Sequence, residues 1–299
     1  QGGFVSRRNC LASVLTYLWL APTMMAVTNN VIIPRPEVRG ALVDALSQGS
    51  VLLYGPRRIG KCTMLEQLAA TPPSGLALLR IDLEGLLQDP VEQLAEQLRH
   101  MLRASSFVRN MELARRVEGV QAAGVGVTLR EAEPGGPWER IRDDLTQVVG
   151  AKDGGILVMA LDEVPWWLDA IVKREDGSAG RAALAALRRL RQDRAVAERL
   201  RMVLIGSIGL AGFAGELGAS AELNDLATLI MAPMSREEGA TLFETELTVR
   251  GLPCTAPAAR WAAEVAGGSP HWIKRLAATC GADGAWGTEA IDAAADQLL

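Results

Sequence analysis

VLLYGPRRIGKCTMLEQLAA, residues 51–70, is the stretch on which the fold turns. Val51 to Tyr54 form a short apolar run bounded by turn formers, which reads as a buried strand. From Lys61 onward the spacing is helical. Between the two, Gly55-Pro56-Arg57-Arg58-Ile59-Gly60-Lys61 has the G-x4-G-K spacing of a loop that cradles phosphates. Glycines let the backbone close round a phosphate and aim N–H groups at it. The helix N-terminus adds a positive dipole, and the lysine reaches the outer oxygens. Gly55, Pro56, Arg57, Arg58, Ile59, Gly60, Lys61, Cys62 and Thr63 are therefore candidate nucleotide-binding residues. With 30 Gly and 4 Lys in 299 residues, composition alone yields about 0.04 matches to this core.

One position departs from the pattern. Cys62 follows the lysine, where a Ser or Thr hydroxyl normally meets Mg²⁺. A thiol is a soft donor and Mg²⁺ prefers hard oxygens. Thr63 is one helical step further on and points elsewhere. Nucleotide binding is expected to survive the change, while Mg²⁺ affinity and hydrolysis are put in question.

A second signal lies about a hundred residues downstream. GILVMALDEV, residues 155–164, is an apolar strand run ending in Asp162 and Glu163. In that arrangement Asp162, with Cys62, is the candidate Mg²⁺ support, and Glu163 the residue that orients or deprotonates an attacking water. LRMVLIGS (200–207) is a further strand run; Ser207 at its end is a candidate sensor of the γ-phosphate, or a turn serine between glycines. Lys61, Glu163 and Ser207 form the candidate catalytic set.

Working outward, LALLRIDL (76–83) and LATLIMAP (226–233) complete five apolar runs. Helical segments stand between them, as in a parallel sheet covered on both faces. Residues 119–130, GVQAAGVGVTLR, read as a hairpin or extended insert. After Pro233 four amphipathic helices follow, the first opened by Ser235 with Glu237 and Glu238. The expected organisation is a non-core segment 1–31, an α/β core 32–233 and an all-helical piece 234–299. The last helix runs to Leu299 without a stop signal, which leaves a truncated chain open.

Hydrophobic residues make up 49% and charged residues 22%, which excludes a disordered or collagen-like chain. The net charge of −4 argues against a basic nucleic-acid coat. Four cysteines without a CxxC pair, and two histidines, argue against zinc or a disulfide framework and suit a reducing cytoplasm. Seven arginines between Arg181 and Arg201 read as a solvated helix face, a trans arginine finger or a nucleic-acid contact. Arg7 and Arg8 precede a charge-free run whose stretch 10–28 reads as upstream translated sequence, a signal or anchor, or a structural helix. A membrane partner is expected only if that stretch is an anchor. Trp166 and Trp167 read as packing rather than base stacking.

GPRRIGK, LDEVPWWL, VLIGSIGL, APMSREEGATLF and GGSPHWIKRL, in this order, resemble the archaeal-type ATPase family of the STAND branch of P-loop NTPases, close to AAA+ ATPases. IPRPEVRGALVDAL before the loop is similar to that family's entry segment, so the resemblance spans residues 32–299. It implies ATP and Mg²⁺ as cofactors and a five-stranded sheet in the order 5-1-4-3-2. It places Ser207 on a strand between those carrying Lys61 and Asp162. It implies a helical lid in which Gly268 and Pro270 lie near the adenine, with His271 beside them. The implied activity is ATP hydrolysis coupled to movement of the lid. The alternatives are a non-hydrolysing ATP- or ADP-binding regulator and, ranked last, a nucleic-acid-binding module. Expected partners are the nucleotide, a homo-oligomer, and an unidentified protein or a C-terminal domain beyond residue 299; a winged helix usually follows such a lid.

Overall fold

Strand β1 (Val51–Tyr54) is four residues long and lies next to an edge strand of the sheet. It pairs in parallel with β4 (Leu200–Gly206) on one side and β5 (Ala227–Ile230) on the other. β4 pairs with β3 (Ile156–Asp162), and β3 with β2 (Leu76–Asp82), giving the order β2-β3-β4-β1-β5. This is the expected order read from the opposite edge. The computed structural model describes residues 31–104, 135–149, 155–206, 209–280 and 287–296.

The central strands are apolar on both faces, which is why β1 and β3 read as near-continuous hydrophobic runs. Val51, Leu53, Val158, Ala160, Val203 and Ile205 face α1 (Pro36–Gln48) and α2 (Lys61–Ala70), whose Leu42, Leu46, Met64, Leu65 and Leu68 fill that layer. Leu52, Leu79, Ile81, Met159, Leu161 and Leu204 face the other way. There they meet α3 (Pro90–Ala104), α4 (Pro137–Val149), α5 (Val164–Arg174), α6 (Gly177–Gln192) and α7 (Leu210–Glu216). Asp144 is buried in this layer, but both its oxygens accept from Arg99 at 2.8 Å, so its charge is compensated.

Helix α5 follows β3 directly, with Pro165 in its first turn. Proline lacks an N–H and holds φ near the helical value, so in a first turn it starts a helix rather than ending one. Val164, Trp167, Leu168 and Ile171 then form its buried stripe.

Helices α8 (Arg236–Val249), α9 (Ala256–Val265), α10 (Pro270–Thr279) and α11 (Thr288–Asp296) pack on one another. The Ser235 hydroxyl accepts from the Glu238 N–H, and the Glu238 carboxylate accepts from the Ser235 N–H, a complete capping box. Buried Arg35, just before α1, donates to the carbonyls of Ala232 and Pro233 at 3.0 Å each and lies 3.4 Å from Glu238. The start of the described chain is thereby fastened to the connection between β5 and α8. Residues Ile32–Leu299 form one compact unit. The expectations for residues 119–130 and for most of 1–31 fall outside the described residues. Among the described residues no helix is long and apolar enough to cross a membrane.

Candidate nucleotide site

The loop Gly55–Gly60 leaves the carboxyl end of β1 and enters α2, at the sheet edge where open α/β folds bind ligands. Its glycines are sterically required. A Cβ on Gly55 would lie 3.1 Å from Ile59 Cγ2 and 3.2 Å from the Met231 carbonyl oxygen. Gly60, at φ +100°, is the left-handed residue that turns the chain into α2. Arg58 also has positive φ, +64°. The Lys61 ammonium is buried and donates to the carbonyls of Gly55 (2.7 Å) and Pro56 (2.9 Å). Burial pushes its pKa down, against the acidic groups around it.

Asp162 closes β3 and is almost wholly buried. Its Oδ2 accepts from the Cys62 thiol at 2.9 Å and from Arg80 Nη2 at 2.8 Å and Nε at 3.2 Å. Its Oδ1 accepts from the Glu163 N–H at 3.1 Å. Burial, then the hydrogen bond to Asp162, pushes the Cys62 thiol up to about 12, so it stays protonated. Cys62 and Asp162 are thus brought together as expected, but their polar atoms are turned on one another. A protonated thiol and a carboxylate already holding four hydrogen bonds are a poor direct ligand set for Mg²⁺.

Glu163 caps α5 in the left-handed region, at φ +57°. A non-glycine residue there costs roughly 1–2 kcal/mol, and such strain collects at functional positions. Its Oε1 lies 3.6 Å from Arg57 Nη2, and its Oε2 is buried without a hydrogen-bond partner. Arg57 also lies over exposed Trp166, 5.5 Å from the ring centroid, while Trp167 is buried.

Helix α10 reaches the loop. A Cβ on Gly60 would lie 3.9 Å from Pro270 Cγ, and Arg58 Nη1 donates to His271 Nε2 at 2.7 Å. That bond makes Nε2 the acceptor, so Nδ1 carries the hydrogen of the neutral ring. Gly268, at φ +66°, sits under the Met234 carbonyl, and its own carbonyl accepts from the Met234 N–H at 2.8 Å. It therefore shapes the approach of α10. Thr63 follows Cys62 on α2 and is half-buried. Ser207 falls outside the described residues, although β4, which leads to it, does lie between β1 and β3.

His271 carries a checkable pH dependence. Burial, then the charges of Arg58 and Arg275, lowers its pKa below the ordinary 6.5. The unfolded chain therefore takes up this proton first as pH falls. The contribution to stability is complete above pH 6.5 and is lost as pH drops through the folded value. In an NMR titration the His271 imidazole is expected to have a midpoint below 6.5, moving upward in Arg58→Gln. An unchanged midpoint in that variant would remove the contact from the account.

Sequence reasoning missed Arg80, although a signal existed. Leu76 and Leu78 on β2 pack against the α1–α2 layer, and Arg80 is the next residue on that face. A charge interrupting an apolar face needs a partner. Arg80 pairs in register with Ala160, which places Asp162 diagonally next to it on the same face. Within the arginine-rich stretch, Arg191 is paired with Asp225 and the Glu222 carbonyl, Arg188 with the Ala221 carbonyl, and Arg201 with the Leu46 and Ala197 carbonyls. These three brace the fold.

No family model and no curated protein matches the chain. Solved structures do. The Walker-type ATPase PABY2304 of Pyrococcus abyssi superposes with a TM-score of 0.60 at 16% identity, over 89% of this chain and 72% of that one. The ORC2 protein of Aeropyrum pernix, in ADPNP–ADP complexes, gives 0.52 at 15%, over 90% and 70%. The ORC1 protein of the same organism, in complex with DNA, gives 0.50 at 18%, over 90% and 66%. The chain has the parallel five-stranded α/β fold of P-loop NTPases.

Proposed function

We propose that this chain binds ATP at the 55–63 loop and hydrolyses it, as a P-loop ATPase of the STAND/AAA+ type. The observation that carries the reading is Glu163. It is a strained carboxylate with an unpartnered buried oxygen, one residue beyond the strand end that meets the Lys61-bearing helix. Glycine-bounded N–H groups at the start of α2 receive the phosphates. Lys61 exchanges its carbonyl partners for phosphate oxygens. Glu163 takes the proton of the water that attacks the γ-phosphorus, and ADP and phosphate leave.

Residues 32–233 form the catalytic core in this reading, and 234–299 a lid. Pro270 and His271 bring the lid to the loop through Gly60 and Arg58, so an occupied loop alters the core–lid contact. Gly268 and Pro270 place α10 beside the base. Ser207 stands next in line to sense the γ-phosphate. Adenine and the STAND assignment rest on the sequence resemblance, and a cytoplasmic location on the cysteine usage. A homo-oligomer or a protein partner is the receiver of the motion.

A second reading is favoured by one observation. The Cys62–Asp162–Arg80 cluster fills the place where a hydroxyl and a free carboxylate would bind Mg²⁺, which suits a regulator that holds nucleotide without turnover.

Lys61→Ala tests the site itself. It removes a cation from beneath the phosphates, a change worth about 2–4 kcal/mol in buried charge pairs, or roughly 30- to 1000-fold in ATP affinity. The variant also gives up the bonds to the Gly55 and Pro56 carbonyls, so a thermal melt is run beside the titration to show that it is folded. Equal affinity in an ATP titration would move nucleotide binding away from this loop.

A further inference from the structure

The charge at Asp162 is balanced from within the protein. A carboxylate this buried needs a cation beside it. Arg80 meets the need from β2, with Nη2 at 2.8 Å and Nε at 3.2 Å from Oδ2. Glu66 on α2 steadies the same guanidinium through Nη1 at 3.2 Å. The Cys62 thiol gives its hydrogen to that oxygen too, at 2.9 Å, from the position where a hydroxyl would normally turn to a metal ion. A guanidinium cannot be deprotonated in a protein, and it offers five N–H donors in a rigid fork. Three of the five go to Asp162 and Glu66, and two are not used by these bonds. The side chain is 27% exposed, so it is neither sealed off nor loose in solvent.

We propose that Arg80 is a resident cation at the nucleotide site, standing beside Asp162 in place of a divalent ion and lending its spare N–H groups to the phosphates, so that ATP binds independently of Mg²⁺. The inference rests on the reading of the 55–63 loop as a nucleotide site. Arg80 is a specificity-determining residue here: it selects the free polyphosphate as well as its metal complex. Guanidinium suits the task because its fork matches phosphate oxygens. Cys62 is its complement, since a small protonated donor can share Oδ2 with the guanidinium without claiming the metal.

The test is an ATP titration of the full chain by calorimetry, in excess Mg²⁺ and in excess EDTA, on wild type, Arg80→Gln and Arg80→Lys. The wild-type Kd is expected to change by less than about threefold between the two conditions. Arg80→Gln is expected to lose at least about tenfold in EDTA and to regain most of it in Mg²⁺, because Asp162 is then open to the ion. Arg80→Lys keeps the charge and is expected to retain most of the EDTA binding. A wild-type Kd that rises about tenfold or more in EDTA would overturn the proposal, and that comparison decides even if Arg80→Gln fails to fold. Unchanged EDTA binding in a folded Arg80→Gln would overturn it as well. Absence of binding in every protein and condition would instead bring down the nucleotide site itself, and this inference with it.

Discussion

Glu163→Gln is expected to lower ATP turnover by about 10²- to 10⁴-fold, the range general-base catalysis contributes, while ATP affinity stays within about threefold. The separation follows from geometry. Glu163 is not part of the 55–60 loop, and its backbone N–H bond to Asp162 is independent of its side chain. Glutamine keeps the length and shape, and its amide oxygen can still face Arg57. What it loses is the basic oxygen, Oε2, which is buried and unpartnered. The left-handed backbone at φ +57° is unchanged by the substitution, so any folding cost is small. Steady-state phosphate release against a matched ATP titration checks the prediction. A joint loss of affinity and turnover would mean that Glu163 holds the site's shape rather than the reacting proton.

The largest effect on stability is expected at Trp167. It is fully buried on α5, its Nε1 donates to the Pro90 carbonyl at 3.0 Å, and it meets Trp138 edge to face at 6.2 Å. It therefore joins α3, α4 and α5 over one face of the sheet. Truncating such a side chain leaves a cavity and costs about 3–5 kcal/mol. For a chain of this size that corresponds to a fall in Tm of roughly 5–8 °C. Trp167→Phe fills most of the space but loses the bond to the Pro90 carbonyl, and is expected to cost about 0.5–1.5 kcal/mol. Thermal melts of the two variants separate the packing and hydrogen-bond parts. A Trp167→Ala melt within a degree of wild type would show that this layer is not what holds α5 in place. Because α5 begins at Glu163, its loosening should also reach the site.

The fold was largely legible because β1, β3 and β4 are buried on both sides. Runs such as VLLY and ILVMALD have no polar face to confuse with a helix, and turn formers bracket them. The strand order was less accessible: composition and periodicity do not encode which runs are neighbours, and the order came from the resemblance of ordered motifs. Helix α5 was less legible, since a proline such as Pro165 suits a turn as well as a first helical turn, and only the Val164–Trp167–Leu168–Ile171 stripe decides for the helix.

At the site, the loop residues were plain because the glycines sit where the backbone favours them, Gly55 at a close approach and Gly60 at positive φ. Contacts between distant side chains were not. Arg58 and His271 are 213 positions apart, and nothing in either segment announces the pair. Arg80 lay in between: its misfit on an apolar strand face signalled a partner, but the partner's identity needed the β2–β3 register.

The most direct test of the account follows ATP binding and phosphate release in the same samples of the wild-type chain. The account predicts saturable binding, with phosphate release that tracks the bound fraction. Saturable binding without release would contradict the hydrolytic claim and leave the nucleotide-holding regulator; no saturable binding would contradict the site itself.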